Sequence, residues 1–272
     1  MDTQPITDIK EIQAILRTGL CYFADACEKH GLRYYLANGT LLGAAKYGGF
    51  IPWDDDVDIL MPREDYEALQ QLEELRQGEF VLRSSATCAT WRVPFSKLTH
   101  AGTVCHETTA DFGCELGVSL DIFPIDGWAD RLQTANRRAA LAGLWRRCMS
   151  ASIEERFFSP RTGVRRCILW LIWCFSHLCG HTFFRRRIQR MAARFADRSA
   201  AYVGCVAWAC YGQAEVAPAQ EFSGEKRLAF EGREHPVFAG YEAYLTRLYG
   251  DWRADLPPER QKTHHTFAVY RF

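Results

Sequence analysis

The sequence predicts an α+β fold, with a mixed β-sheet core, flanking helices and a helical insertion. Three observations support this fold class. The 272 residues are 48% hydrophobic and 24% charged, which suits a large globular core. Helix and strand patterns follow one another without the regular rhythm of a doubly wound parallel sheet. Residues 128–199 form one long, mainly helical stretch rich in Ala, Leu, Trp and Arg.

The first elements are a long helix, a short strand and a turn. Thr7 followed by Asp8 is a candidate helix start, and apolar residues recur at helical spacing after it, which predicts a helix to about His30 that stops at Gly31. Residues 34–36 form a short strand. The glycine-rich stretch 38–50 predicts a turn that leads into one or two helical turns.

A second strand over residues 57–61 ends at Pro62, and residues 63–77 have the apolar stripe of an amphipathic helix. Further short strands are expected at 80–82, at 91–98 and at 116–126.

The domain organisation follows from these patterns and from the change of composition after residue 127. We predict a catalytic core over residues 1–127 and a helical segment, both basic and apolar, over 128–199. Residues 200–272 are short aromatic-rich pieces separated by glycine and proline, and they are expected to pack back on the core.

Charge and cysteine content exclude some classes of protein. Lys and Arg total 33, as do Asp and Glu, so global charge gives no reason to expect nucleic-acid binding. The eleven cysteines have no paired spacing, which favours reduced thiols in the cytoplasm, and the N-terminal residues show no secretory signal. A zinc site is a weak alternative use of four residues in an unrecognised spacing, Cys88, Cys105, His106 and Cys114.

Four carboxylates lie within five residues, at 54–58, directly before an apolar run. Like charges this close repel, so they must stay hydrated, find donors or hold a cation. Asp56 and Asp58 flank Val57, and alternate residues of a strand share one face. Asp121 is likewise a single acid inside an apolar strand. If the two strands are neighbours, three carboxylates converge and could hold Mg²⁺ (or Mn²⁺).

Other interpretations of these acids stay open. Asp54 and Asp55 could form a solvated turn, and Asp121 could be a buried acid satisfied by an arginine or by backbone donors. Upstream, Gly39 and Thr40 stand at a strand-to-helix junction, where backbone N–H groups can face an anion, although glycine often ends a strand for steric reasons alone. Together the acids and this turn favour phosphoryl or nucleotidyl chemistry.

The motifs resemble the LicD family of phosphotransferases, whose relatives include the fukutin-type proteins. The resemblance rests on YYLANGTLLGAAKYGGFIPWDDDVDILMPREDY (34–66), FSKL (95–98), SLDIFPIDG (119–127), YEAYLTRLYGDWRADLPP (241–258) and the pair at 264–265. It implies a nucleotidyltransferase-like core with a Gly-Ser/Thr turn, a D-x-D strand and a later third acid. Matched to this chain, these are Gly39 with Thr40, Asp56 with Asp58, and Asp121.

The resemblance also implies an activity. Members of the family transfer phosphocholine from CDP-choline, or ribitol phosphate from CDP-ribitol, to a sugar hydroxyl and release CMP. We therefore expect a CDP-linked donor, a glycan or lipid-linked glycan acceptor, and three metal-binding acids, of which Asp121 could also accept the acceptor proton. A nucleotidyltransferase that attaches NMP, or a silent glycan- or lipid-binding protein, is the alternative.

Two further residues are candidate substrate contacts. Lys97 could bind a donor phosphate as a point charge, or it could be a surface lysine. Trp53 could stack on the base or on a choline ammonium, or it could simply pack.

The apolar run 167–184, bounded by arginines, allows three interpretations: a helix at a membrane surface, a buried core helix or a short span. The first would make this cytoplasmic protein peripheral on the inner face of the membrane.

Overall fold

The computed structural model describes residues 4–107, 111–154, 157, 161–194, 200–257, 259, 261–263 and 267–272. The helices in these ranges are α1 (Ile9–His30), α2 (Asn38–Tyr47), α3 (Arg63–Leu69), α4 (Leu132–Ile153), α5 (Val164–Cys179), α6 (His181–Ala193) and α7 (Tyr241–Tyr249). The strands are β1 (Gln4–Ile6), β2 (Tyr35–Leu36), β3 (Val57–Pro62), β4 (Phe80–Arg83), β5 (Ser96–His100), β6 (Thr103–Glu107), β7 (Ser119–Ala129), β8 (Tyr202–Gly204), β9 (Ala217–Pro218), β10 (Glu225–Phe230), β11 (Arg233–Phe238) and β12 (Phe267–Arg271).

The central sheet has the strand order β2-β3-β7-β5-β4, and β8 extends it by pairing with the far half of β7 and with β9. Strands β3 and β7 are parallel and their neighbours are antiparallel, so the sheet is mixed. A three-stranded sheet β1-β12-β6 and the hairpin β10-β11 lie outside it. The predicted α+β class is confirmed.

Helix α1 covers one face of the central sheet. Its N-cap is Asp8, whose side chain accepts a hydrogen bond from the Lys10 N–H at 2.9 Å, and it ends at Gly31 with φ 66°, as predicted. Gly19 allows the close approach, because an added Cβ there would lie 2.7 Å from Leu120 and from Phe80. Leu120 and Phe80 therefore mark the face of the sheet that meets α1.

The strand over 57–61 is confirmed and extends through Pro62, with Val57 and Ile59 buried by the alternation of the chain. Two other predictions are wrong in extent. The helix expected over 63–77 ends at Leu69, and the remaining apolar positions are satisfied by a 3₁₀ turn at Glu73–Leu75.

The strand expected over 91–98 begins only at Ser96. Before it, Trp91 is buried in a loop and its indole Nε1 donates to the carbonyl of Phe95 at 2.8 Å. An apolar run can thus be buried without forming a strand.

The middle segment is helical, as predicted, and α4 packs against both α5 and α6. The C-terminal segment reaches the core in several places: β8 pairs with β7, β12 pairs with β6, and the Tyr34 hydroxyl meets Nδ1 of His235 at 2.9 Å. The division of the chain at residues 127 and 199 stays a prediction. The histidines at 264–265 lie outside the described residues.

Helix α5 is not a core helix, because Ser176 is its only buried residue. Within the part of the chain that is described, no helix has both the length and the apolar character to cross a membrane alone. The bent pair α5 and α6, which meet at 85°, satisfies those two criteria together.

Candidate active site

A row of four charged residues crosses the central sheet. Asp58 on β3 pairs in register with Asp121 on the parallel strand β7, Asp121 pairs with Lys97 on β5, and Lys97 pairs with Arg83 on β4. Residues directly opposite one another on adjacent strands project from the same face, with strands about 4.8 Å apart. The row lies on the face opposite α1, since Leu120 meets that helix. Two carboxylates and two cations therefore stand side by side.

The middle of the row is an ion pair. Lys97 Nζ donates to Asp121 Oδ1 at 2.5 Å, and the Lys97 residue is only 9% exposed. The ammonium also lies 4.9 Å from the ring centre of Phe112 and 5.7 Å from that of Phe95. The surface-lysine alternative for Lys97 is thus excluded, and Asp121 is a strand acid satisfied by a lysine rather than an arginine.

Asp58 is under electrostatic strain. Burial raises its pKa well above the ordinary value, and the charges of Asp56, Asp121 and Asp54 raise it further. A hydrogen bond from Asn38 opposes this shift. Three of the four neighbouring acids are therefore close enough to Asp58 to repel it, as predicted for carboxylates that share one face.

Asn38 connects Asp58 to the C-terminal segment. The hydroxyl of Tyr244, buried on α7, donates to Asn38 Oδ1 at 2.7 Å, and Asn38 hydrogen-bonds the Asp58 carboxylate. Asn38 has φ 44°, a left-handed conformation that asparagine tolerates better than most residues. The Asn38 amide is thus fixed by the Tyr244 hydroxyl and in turn hydrogen-bonds the Asp58 carboxylate.

The acids before β3 occupy different environments. Asp55 is buried, and its carboxylate accepts a hydrogen bond from Thr263 Oγ1 at 2.5 Å, so a solvated turn does not describe it. Asp54 and Asp56 are half-buried. The Asp54 carboxylate lies against Gly39, where an added Cβ would be 2.7 Å from its Oδ2 atom.

The predicted anion-binding turn forms the start of α2. The N-cap of α2 is Ala37, whose side chain cannot accept a hydrogen bond. The first backbone N–H groups of the helix are therefore not capped by the side chain of the N-cap residue. Thr40 is buried, and its hydroxyl accepts a hydrogen bond from the Asp58 N–H at 2.8 Å. Thr40 thereby fixes the backbone of an acid in the row, and the role of Gly39 and Thr40 toward a phosphate stays a prediction.

Aromatic residues surround the carboxylate end. Tyr211 and Tyr249 share a hydrogen bond between their hydroxyls at 2.9 Å. Burial raises the pKa of both phenols, and the charge of Asp58 adds a smaller rise. Trp53 lies half-buried in the turn before Asp54, and its proposed stacking role stays a prediction.

The donor chemistry of this edge suits a hard divalent cation, because carboxylate oxygens are the ligands that Mg²⁺ prefers. Within the described residues, however, no three His, Cys, Asp or Glu side chains are arranged to hold one ion. This applies to the cysteine set at 88, 105, 106 and 114, and to the three predicted acids as they stand. Mg²⁺ commonly uses only one or two protein carboxylates, with phosphate oxygens and water, so the residues fit such an ion.

Sequence reasoning missed three residues of this site. Arg83 reaches the row only through strand register, and its buried Nε has no hydrogen-bond partner among the described residues. Asn38 stands one position before the predicted Gly39-Thr40 turn, so that turn was the available signal. Tyr244 comes from 206 residues further along the chain and has no local signal.

Comparison with known proteins identifies the domain. Residues 31–116, which include Asp56, Asp58 and Lys97 but not Asp121, match the family model LicD/FKTN/FKRP, nucleotidyltransferase domain. The lipopolysaccharide cholinephosphotransferase LicD of Haemophilus influenzae is 28% identical over 96% of this chain and 97% of its own length. Human ribitol 5-phosphate transferase FKRP is 36% identical over 91 residues, which are 31% of this chain and 18% of that protein. Residues 31–116 are therefore a LicD-family nucleotidyltransferase domain, and the resemblance drawn from the sequence motifs is confirmed.

Proposed function

We propose that this protein transfers a phospho-alcohol, phosphocholine in the first instance, from a CDP-activated donor to a hydroxyl of a cell-surface or lipid-linked glycan, and releases CMP. Support comes from the LicD-family domain and from the full-length similarity to a lipopolysaccharide cholinephosphotransferase. The similarity to a ribitol 5-phosphate transferase supports the broader class, a phospho-alcohol transferase acting on glycans.

The observation that carries the proposal is the charge row Asp58, Asp121, Lys97 and Arg83. A CDP-linked donor brings a doubly charged pyrophosphate, and cations next to it stabilise the charge that develops on the leaving phosphate. Lys97 and Arg83 supply two cations in adjacent register. The carboxylates at the other end would repel a bare pyrophosphate, so this end suits the acceptor hydroxyl and a metal ion.

The chemical step needs a proton acceptor and a leaving group. The oxygen of the acceptor hydroxyl forms a bond to the phosphorus that carries the alcohol, the bond from that phosphorus to the CMP oxygen breaks, and CMP leaves with the electron pair. The hydroxyl proton passes to a carboxylate of the row, for which we propose Asp121. The ammonium of Lys97 would then leave the Asp121 carboxylate and donate its hydrogen bond to a phosphate oxygen instead.

A divalent cation, Mg²⁺ or Mn²⁺, would be held by Asp56, Asp58 and Asp121 together with phosphate oxygens and water. When bound it supplies charge neutralisation at the phosphoryl group. The raised pKa of Asp58 supports this assignment, because its cause includes repulsion from Asp56 and Asp121 that a cation would relieve.

The decisive experiment is a donor screen with CDP-choline, CDP-ribitol, CDP-glycerol and CDP-ethanolamine, with a glycan acceptor and Mg²⁺. Transfer predicts CMP release with one donor and a phosphodiester on the acceptor. Attachment of CMP to the acceptor, with release of the alcohol phosphate, would identify a nucleotidyltransferase instead. No product with any donor, and no change of melting temperature with Mg²⁺ or Mn²⁺, would support a silent binding protein.

We also propose that the enzyme works in the cytoplasm, on the inner face of the membrane that carries its acceptor. All eleven cysteines are free thiols, which fits a reducing compartment.

A further inference from the structure

Helix α5 carries a concentrated exposed apolar surface. Leu178 is 87% exposed and Val164 is 76% exposed, at opposite ends of the helix. The exposed large apolar residues of this helix are Val164, Ile168, Leu169, Trp170, Leu171, Ile172, Phe175 and Leu178. Isolated apolar side chains are normal on a protein surface, but eight on one 16-residue helix form a contiguous patch. Such a patch marks a surface that another phase or molecule covers.

The charge beside this patch selects its partner. Residues 132–194 contain thirteen arginines and two glutamates. Three of the arginines, Arg186, Arg187 and Arg190, line a cavity on α6 together with Cys179, Thr182 and Phe183. None of these three forms an ion pair with another described residue. An apolar helix followed at once by a cavity rich in guanidinium groups matches the two layers of an anionic bilayer, acyl chains and headgroup phosphates.

The geometry favours a helix that lies in the interface over one that crosses. With 16 residues, α5 is about 24 Å long, shorter than the roughly 30 Å of a hydrocarbon core. Helix α6 leaves it at 85° rather than continuing it. Arginines stand in the first turn of α5, at 165–166, and within α6, at 185–187, so cationic groups flank the apolar part of α5 on both sides and suit the headgroup layer.

The patch is attached to the catalytic sheet. Helix α4 packs against α5, against α6 and against β7, the strand of Asp121, and α6 also contacts β7. Met149 of α4 is fully buried in the main core. Binding through α5 would therefore fix the orientation of the charge row relative to whatever surface α5 binds.

From these observations we infer that α5 inserts into the headgroup region of a bilayer containing anionic phospholipid, while Arg186, Arg187 and Arg190 contact lipid phosphates. The lipid binding stands on the exposed patch and the arginines. Its purpose, the delivery of a membrane-bound acceptor to the row, rests on the proposed function.

Flotation of the full chain with vesicles tests the inference. One set of vesicles is phosphatidylcholine alone, and in the other about a third of the lipid is phosphatidylglycerol. We expect binding to the anionic set and a fall in binding at high salt. The double variant Leu171→Glu/Leu178→Glu and the triple variant Arg186→Gln/Arg187→Gln/Arg190→Gln should each reduce binding at least about tenfold.

The controls separate the surface from general effects. Leu256→Glu, at a residue 45% exposed in the C-terminal segment, and Arg76→Gln, directly after the 3₁₀ turn, should bind vesicles like the wild type. Circular dichroism must show native helix content in every variant. CMP release with a soluble acceptor should be unchanged in the α5 variant, so a failure of the proposed transfer is distinguishable from a failure of lipid binding.

Two outcomes would overturn the inference. Equal binding of the wild type and both variants to anionic vesicles would remove α5 and α6 from any lipid contact. A wild-type dimer in light scattering that Leu171→Glu/Leu178→Glu converts to a monomer, without vesicle binding, would assign the patch to a second copy of the chain.

Discussion

Asp58 and Asp121 face each other at the same level of two parallel strands, and Lys97 holds Asp121 from the other side. Repulsion between the first two carboxylates is therefore only half compensated. The ion pair neutralises Asp121, whereas burial and the neighbouring carboxylates keep the pKa of Asp58 raised despite its hydrogen bond from Asn38. Under the proposed function, Asp58 is the carboxylate whose repulsion a bound cation would relieve.

Substituting Asp58→Asn should abolish transfer and leave the fold intact. The amide removes a charge that is repelled by its neighbours, so the free energy of unfolding should not fall by more than about 1 kcal/mol. We expect turnover to fall at least about 100-fold, because a charge used at the phosphoryl group is lost. The measurement is CMP release at saturating donor. The wild type should also show a rise in melting temperature with Mg²⁺ that this variant lacks.

Glu73→Gln is the matched control for that experiment, since it removes a carboxylate whose side chain is 82% exposed. It should retain both turnover and the Mg²⁺ response. Near-normal turnover in Asp58→Asn would contradict its assignment to the site.

Substituting Arg83→Gln should weaken donor binding. Arg83 pairs in register with Lys97, and its buried Nε has no hydrogen-bond partner among the residues described, so this donor is proposed to meet an oxyanion. Loss of one charge-assisted contact costs about 1.5–3 kcal/mol, which raises KM for the CDP donor roughly 10- to 100-fold. Initial rates over a range of donor concentrations measure this.

The conservative variant Arg83→Lys should recover part of that loss, because it restores the charge but not the planar fork. Arg76→Gln, which changes an exposed arginine directly after the 3₁₀ turn, should leave KM unchanged. A KM for Arg83→Gln within twofold of the wild type would exclude Arg83 from the donor site.

Substituting Tyr244→Phe tests the connection from α7 to Asp58. The change removes the hydroxyl that fixes the Asn38 amide at 2.7 Å and should cost about 1 kcal/mol of stability. Because Asn38 then holds Asp58 less firmly, we expect kcat to fall about fivefold while KM for the donor is unchanged. Steady-state kinetics and urea unfolding provide the two readouts.

Tyr241→Phe is the matched control, because it also removes a tyrosine hydroxyl from α7. Tyr241 is half-buried, and its ring contacts Lys226. This substitution should leave kcat unaltered. Equal effects of the two substitutions would show that Tyr244 acts only through the packing of α7.

Much of the site followed from local pattern. Val57 and Ile59 alternate with Asp56 and Asp58, so the shared face of the two acids was visible in the sequence, and Pro62 ended the strand as expected. The approach of Asp121 depended on strand order, which local pattern does not contain. The two strands are parallel neighbours despite 56 intervening residues, and the signal for Asp121 was a single acid inside an apolar strand, which the family resemblance then matched to the third acid.

Long-range strand pairing explains two features that local pattern does not contain, the burial of Lys97 and the place of Arg83 in the row. Lys97 is buried because β5 lies between β7 and β4, and Arg83 joins the row only through that order. Periodicity also failed at Leu72 and Leu75, because a 3₁₀ turn presents apolar residues about as well as the predicted helix. The segment 91–95 shows the same ambiguity, since burial alone does not require a strand.

Substituting Gly39→Ala should reduce activity without loss of the fold. The new methyl group would lie 2.7 Å from Asp54 Oδ2, so the Asp54 carboxylate must move away from the start of α2. We expect kcat/KM to fall at least about tenfold, because the groups around the row shift by a fraction of an ångström or more. Gly143→Ala, in α4, has its nearest atom 3.8 Å from the added Cβ and should stabilise the protein by up to about 1 kcal/mol with normal activity.

Glu215 predicts a pH-dependent loss of stability. Burial raises its pKa from 4.5 to about 7, and although its Oε1 accepts from the Tyr211 N–H at 2.8 Å, its buried Oε2 has no partner among the described residues. The folded state holds this proton longer than the unfolded state. Its contribution is therefore complete below about pH 4.5 and is lost as the pH rises through about 7, a change of roughly 3 kcal/mol.

Substituting Glu215→Gln removes that titration and keeps an oxygen that can accept from Tyr211. Urea unfolding of both proteins at about pH 5 and about pH 8 measures the stability difference between them. The wild type should be more stable at about pH 5 than at about pH 8. Between these two pH values its free energy of unfolding should fall by roughly 3 kcal/mol more than that of the variant. A difference that is constant across this range would mean that Glu215 is ionised in the folded protein at both values, held by the charge of Arg146 or by water at its free oxygen.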